Sequence, residues 1–384
     1  MPPGFITTIA LFVLLVALAL RPPRPRRSSP WSTVAAVTYL LNEQPFVALY
    51  VLAASALPYL TGGTAGAPRW WLGLGLTAVP AAGMVALAVR TRTARPVLTA
   101  ALDAAFGAGP HRHTRMPWPR LLVPFVSWRA GVRRVRNLRY GPEPGRGQLL
   151  DLYLARRRPP NAPVLVYLHG GGFAIGNKMI GGRPLLYRLA GHGWVCVSAN
   201  YRLRHVGYAD QLADVKRVVA WIRAHAAEYG ADPSTVVLAG GSAGAHLATM
   251  AALTADDRRP QPGFETADTS IAAVIGLYGY YGSAGPLGAT AAAPLAHLRS
   301  DAPPFLLVHG ALDTMVLVED AREFAAALGR AVSRPVAYAE LPGTQHNFDF
   351  FGSPRFHAVL DTVEDFLDRA VTRRSADPAA ERRG

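Results

Sequence analysis

The chain predicts an α/β fold with a mostly parallel sheet, preceded by an all-α apolar region, and three observations lead there. From residue 149 onward, short apolar runs alternate with amphipathic stretches. Two glycine-rich motifs each close one of those runs. Nearly all of the excess positive charge precedes residue 141.

The runs 149–154, 164–168, 194–199, 235–239, 271–278, 305–308 and 336–341 are read as strands. Several are continuously apolar, as expected where helices cover both faces of a sheet. Between them, 210–229 sets Leu212, Val215, Val219 and Ile222 at helical spacing, and 245–253 continues as a helix directly after the second motif. Residues 146–372 therefore form one catalytic-sized α/β unit, and 373–384, with Pro, Ala and charge but no apolar period, reads as a disordered tail.

The first motif, His169-Gly170-Gly171-Gly172, ends the run 164–168, and the second, Gly240-Gly241-Ser242-Ala243-Gly244, ends the run 235–239. A serine is a poor nucleophile until it is held exposed on a tight strand-to-helix turn, where flanking glycines avoid a Cβ clash. The backbone N–H groups of Gly171, Gly172 and Ala243 are the candidates to receive a developing oxyanion. Downstream, Asp313 and His346 each follow a strand-like run and complete the order Ser, acid, His. His346 is read as the base that takes the Ser242 proton, and Asp313 as the group that orients its imidazole. Asp301, Asp320, Glu340 and Asp349 are read as solvated acids, and His169, His246 and His309 as structural histidines. Chemistry of this kind requires no metal and no organic cofactor.

His169 to Gly172, Asn200-Tyr201-Arg202-Leu203, Gly240 to Gly244, His309 to Asp313 and Gln345-His346 together resemble the hormone-sensitive-lipase branch of the α/β-hydrolases, and within it the membrane-associated Lip-type carboxylesterases of actinobacteria. The likeness covers residues 149–371. It implies an α/β-hydrolase fold and a serine esterase with Ser242, Asp313 and His346 as its triad. One position departs from the branch: the usual Gly-Asp-Ser-Ala-Gly has Gly241 in place of its Asp. The run Gly-x-Ser-Ala-Gly-Ala-His is also similar to kynurenine formamidases and isoprenylcysteine methyl esterases, which keeps amide substrates and acyl transfer open beside ester hydrolysis. A non-enzymatic protein on the same fold is the other alternative. Its usual mark is a missing triad member, and none is missing here.

Charge divides the chain. Up to Tyr140 there are 16 arginines against only Glu43 and Asp103, whereas the remaining 244 residues hold 24 basic and 23 acidic side chains. A sequence pI near 10.5 would ordinarily suggest nucleic acid. These arginines, however, lie between and after long apolar stretches, which fits membrane lipids as partners and excludes a nucleic-acid face. The 19 uncharged residues 2–20 and the 20 uncharged residues 70–89 each match the length that crosses a hydrocarbon core. Between them, Asn42-Glu43-Gln44-Pro45 breaks an apolar stretch, so a shorter helix starts at Pro45 and leaves Glu43 at the interface. Trp31, Trp70 and Trp71 fall where an aromatic belt would sit.

Residues 1–95 are thus expected to form about three spans. Arg21, Arg24, Arg26 and Arg27 after the first, with Arg90, Arg92 and Arg95 after the third, put the catalytic unit on the cytoplasmic face of a multi-pass membrane protein. Residues 96–145 are read as an amphipathic linker on the membrane surface or a partial lid. Only 281–300 leaves room for an insertion, and it is short. The substrates expected are accordingly small-molecule or lipid esters of short to medium acyl chain. Cys196 is read as a buried core thiol, and oligomeric state is not legible.

Overall fold

The structure is a computed structural model that describes residues 3–22, 38–62, 66–116, 119–120, 123–125, 127–203, 206–255, 257–282 and 293–375. Arg24, Arg26, Arg27 and Trp31, much of the short insertion region and most of the tail lie outside the described residues.

The N-terminal region is helical: α1 (Pro3–Leu20), α2 (Tyr39–Glu43), α3 (Pro45–Thr61) and α4 (Pro68–Arg90) are followed by a 3₁₀ turn (Thr91–Thr93) and α5 (Ala94–Phe106). Pro45 starts α3 at its first turn, where the missing N–H costs nothing. Small residues bring α1, α3 and α4 together. A Cβ on Gly83 would lie 2.3 Å from Val16, and one on Gly73 would lie 2.1 Å from the Tyr59 ring. Arg90 then fastens the far ends, donating to the carbonyls of Ala19 (2.8 Å) and Leu20 (3.2 Å). The outward faces carry exposed Leu11, Leu14, Leu57, Trp71 and Val79.

Residues 94–106 do not behave as a linker. Leu98, Leu102 and Phe106 of α5 are fully or nearly buried in the core of the α/β unit, where α5 packs on a strand and on the C-terminal helix. The reason is period: those residues recur at helical spacing and make one apolar stripe.

That unit is an eight-stranded sheet in the order β1-β2-β4-β3-β5-β6-β7-β8. Its strands are β1 (Val132–Arg139), β2 (Leu149–Ala155), β3 (Ala162–Leu168), β4 (Val195–Ala199), β5 (Ala231–Gly241), β6 (Ala273–Leu277), β7 (Phe305–Gly310) and β8 (Val336–Leu341). The first two are antiparallel additions and the other six run parallel. This is the α/β-hydrolase fold. The edge strand β1 corrects the reading of Arg133, Arg134 and Arg136 as membrane-surface linker: Arg133 and Arg134 sit on a ladder, Arg136 lies in its bulge, and Arg134 donates to buried Asp151 of β2.

Helices α6 (Arg183–Gly191), α7 (Tyr208–Ala224), α8 (Ala243–Leu253), α9 (Val318–Ala331) and α10 (Pro354–Ser375) complete two layers. One face of the sheet is covered by α7, α8 and α9, and the other by α5, α6 and α10. The segment preceding β1 straps along α10. There the backbone N–H and Nη1 of Arg112 donate to Asp365 at 2.8 and 3.0 Å, and Thr114 donates to Asp361 through its backbone N–H at 3.2 Å. The helix α10 runs to Ser375, a little beyond the expected end of the catalytic unit.

Candidate active site

Because β3, β5, β7 and β8 are parallel, their C-terminal ends meet along one edge, and each delivers one part of the site. His169 to Gly172 leave β3, Ser242 leaves β5, Asp313 follows β7, and His346 follows β8.

Ser242 has φ 53° and ψ −120°, a conformation costly for any residue with a Cβ. It persists because its surroundings allow no other path. Its N–H donates to the Leu277 carbonyl (3.0 Å), and its own carbonyl receives the His246 N–H (3.1 Å) at the first turn of α8. The glycines are there for contact: a Cβ on Gly240 would stand 2.4 Å from the Gly244 backbone, and one on Gly244 would stand 2.1 Å from the Leu168 carbonyl. Helix α8 therefore packs directly onto the end of β3, and its first residue, Ala243, lines the same cavity as Ser242.

Asp313 is buried and fully engaged. Its Oδ1 accepts the backbone N–H groups of Met315 (2.9 Å) and Val316 (2.8 Å), and its Oδ2 lies 2.6 Å from His346 Nδ1. His309 Nε2 lies 3.3 Å from Oδ2 on the other side. Burial alone would push the Asp313 carboxyl up, but the charge of His346 and hydrogen bonds from both histidines outweigh it and hold it well below the usual carboxylate range. This favours the ionised form, and its oriented oxygen fixes which imidazole nitrogen faces away. That other side of His346 opens into a cavity of about 590 Å³ that also admits Ser242, Ala243 and all three glycines 170–172.

The three histidines read as structural are all tied down. His169 stacks on Tyr201 at 4.5 Å and donates to the Gly170 carbonyl at 2.7 Å, and burial pushes its pKa down to about 4. His246 bridges the Tyr208 hydroxyl and the Tyr280 carbonyl at 2.9 Å each. His309 braces Asp313. Cys196 is buried in β4, where burial pushes its thiol pKa up.

Asp349 is where the solvated reading fails. It is fully buried, accepts hydrogen bonds from the hydroxyls of Tyr167 and Tyr278, and receives the Gly182 N–H at 2.8 Å. Burial pushes its carboxyl up, against those hydrogen bonds. The Tyr278 ring in turn packs edge-on against His346 with centroids 4.5 Å apart. This accounts for Gly241: a Cβ there would stand 2.3 Å from the Tyr278 hydroxyl. The space next to Gly241 is filled by a tyrosine held by Asp349. Sequence reasoning missed this network, since no local pattern links Tyr167, Tyr278 and Asp349. It also missed Phe173, Ile180, Tyr280, Met315 and Phe350, which line the cavity. Among the described residues no group of His, Cys, Asp or Glu is arranged to hold a metal ion.

A sheet of this order, with its glycine motifs at the ends of neighbouring parallel strands, defines a protein of the α/β-hydrolase class, and known proteins agree. The BD-FAE family model matches residues 150–283. The probable carboxylic ester hydrolase LipM of Mycobacterium tuberculosis (strain ATCC 25618 / H37Rv) is 38% identical over 340 residues, 77% of this chain and 77% of that protein. Esterase LipQ of the same strain is 39% identical over 268 residues, 62% of this chain and 63% of its own length. Among solved structures, the apo form of Thermogutta terrifontis esterase 2 superposes with a TM-score of 0.54 at 29% identity, covering 62% of this chain and 94% of that one. The chain belongs to the hormone-sensitive-lipase branch of the α/β-hydrolases and is a carboxylic ester hydrolase.

If the Tyr278 hydroxyl occupies the branch aspartate's place, restoring that residue should harm this enzyme. Gly241→Asp is expected to overpack the turn, at roughly 1–3 kcal/mol in stability, and to lower esterase activity. Unfolding midpoints and initial rates check it, and a variant as stable and active as the parent would refute the packing account.

Proposed function

We propose that the protein is a membrane-held carboxylesterase that hydrolyses short to medium acyl esters through a covalent acyl-Ser242 intermediate. The observation that carries this reading is that strained Ser242 and Asp313-bonded His346 open into one apolar cavity beside the glycine run. In this mechanism Ser242 Oγ attacks the acyl carbonyl while His346 takes its proton. The oxyanion is received by the N–H groups of Gly171, Gly172 and Ala243. Collapse expels the alcohol, protonated by His346, and a water deprotonated by the same imidazole then attacks the acyl-enzyme, releasing the acid and restoring Ser242. Asp313 stays ionised throughout and stabilises the imidazolium.

Labelling with a fluorophosphonate tests the nucleophile: the parent chain should label and Ser242→Ala should not. Equal labelling of both would sink the assignment.

The cavity supports the acyl preference. Phe173, Ile180, Tyr280 and Phe350 give it apolar walls, and Ile175 and Met315 are exposed at its lining. A volume of about 590 Å³ suits a modest acyl chain. Water-soluble p-nitrophenyl esters of short and medium chain should be cleaved faster than emulsified long-chain triglycerides. A rate jump on the emulsion would contradict this.

The membrane part of the proposal rests on the helices. The windows of α1 and α4 are long and apolar enough to cross a bilayer, yet only 22% of each is buried. The outward faces of α1, α3 and α4 are apolar where a soluble protein would be polar. Arg90 joins the C-terminal end of α4 to that of α1, which supports three crossings of alternating direction with both arginine-bearing ends on the hydrolase side. Because α1 packs on α3 and α4, its removal as a leader would strip one wall from the bundle. With the hydrolase cytoplasmic, a reporter active only outside the cytoplasm should work when inserted at Gly66 and stay silent after Gly384. Strong activity from the second fusion would reverse the orientation.

A further inference from the structure

The loop that carries His346 leaves β8 at Leu341 and reaches α10 at Pro354, and its backbone is unusual on both sides of the imidazole. Gly343 has φ +64° and Asn347 has φ +59°. Asn347 pays a steric penalty for that conformation, because its Cβ crowds its own backbone. Two left-handed residues therefore bracket the base, and something must hold them.

What holds them comes from the N-terminal helices. The Tyr39 hydroxyl donates to the Asn347 carbonyl at 2.7 Å. The Asn42 side-chain amide donates to the Gly343 carbonyl. Both donors lie on α2, the short helix between the first two apolar helices, more than 300 residues away in sequence. Helix α2 is itself locked. Arg90, at the end of α4, donates to Asn42 Oδ1 at 2.6 Å, and Arg355, fully buried at the start of α10, donates to buried Glu43. Arg355 also reaches the Gly343 carbonyl at 3.4 Å.

We infer that Tyr39 and Asn42 are positioning residues for the esterase reaction: by capping the carbonyls of Asn347 and Gly343 they hold His346 in register between Asp313 and Ser242, so that the N-terminal helices complete the active site as well as anchoring it. This rests on His346 being the general base. Glu43, expected at the membrane interface, is sealed within the protein against Arg355. An enzyme trimmed of residues 1–95 would lose both clamps on its base.

The test uses the full chain in lipid–detergent micelles with p-nitrophenyl acetate, whose solubility removes membrane partitioning from the rate. Glu43→Gln would strand a buried guanidinium and cost folding, so the variants are Tyr39→Phe, which removes one neutral hydrogen bond, Asn42→Ala, which removes the bond to Gly343 together with the one Asn42 accepts from Arg90, and their combination. Leu57→Ala, on the exposed face of α3, is the control. The expected result is a kcat about fivefold lower for each lost bond, with KM changed less than about twofold. Fluorophosphonate labelling of Ser242 should slow in step, membrane retention should be unchanged, and the control should match the parent. A parental kcat and labelling rate in the double variant would overturn the inference while leaving the Ser242 mechanism intact. So would a loss of kcat that merely tracks a loss of folded protein in thermal unfolding. A parent chain that does not label at Ser242 would overturn both.

Discussion

The structure depends on one piece of unfavourable backbone, the turn at Ser242. A residue with a Cβ held in that region costs on the order of 1–3 kcal/mol, and it persists only when its neighbours leave no alternative. Here the neighbours are the end of β3, which Gly244 touches through the Leu168 carbonyl, the Leu277 carbonyl of β6, and the Tyr278 hydroxyl over Gly241. Each of these contacts demands a specific strand order. If β3 and β6 did not flank β5, neither Leu168 nor Leu277 would be in reach of the turn. The central parallel strands therefore do more than form a core. They are the frame that holds the serine and the start of its helix at the edge of the cavity.

The same dependence explains what was legible in the sequence. Both glycine motifs were readable because their constraints are local and steric: a glycine is required wherever backbone meets backbone, and those meetings recur at fixed spacing. Ser242, Asp313 and His346 stood out as candidates because each follows a strand, and strand ends announce themselves as the close of an apolar run. Strand β1 was not readable, because an edge strand with arginines along it has no apolar period. Its partner Asp151 lies a strand away and its charge is invisible until the sheet forms. Asp349 failed for the complementary reason. An acid is read as solvated unless a partner is nearby, and its two tyrosines arrive from β3 and from just after β6. Tyr39 and Asn42 belong with these: a five-residue helix between apolar stretches carries no signal that its side chains reach a loop 300 residues on.

Gly241 shows how one departure from a family pattern is absorbed. The residue before the nucleophile is free to change only if another group fills the volume and satisfies the polarity there. Tyr278, fastened by Asp349 and packed against His346, does both. The exchange ties the turn of β5 to the histidine loop through one aromatic ring, so two parts of the site that are separate in sequence become neighbours in packing.

The near-unbroken helix from Pro68 to Phe106 has a mechanical meaning. Its 39 residues, at about 1.5 Å each, make a rod of nearly 60 Å, about twice the thickness of a hydrocarbon core. Its last 13 residues, α5, bury one apolar face in the hydrolase. In the membrane arrangement proposed above, the enzyme is bolted to a mast and not hung on a tether. A tethered domain samples a volume set by linker length, so it meets substrates at many heights and angles. A mast fixes one height and one bearing, and each residue added to it would lift the cavity by about 1.5 Å and swing it by about 100° around the helix axis. The reach of this esterase across the bilayer surface is then set by helix phase, a quantity that selection can tune only in whole residues.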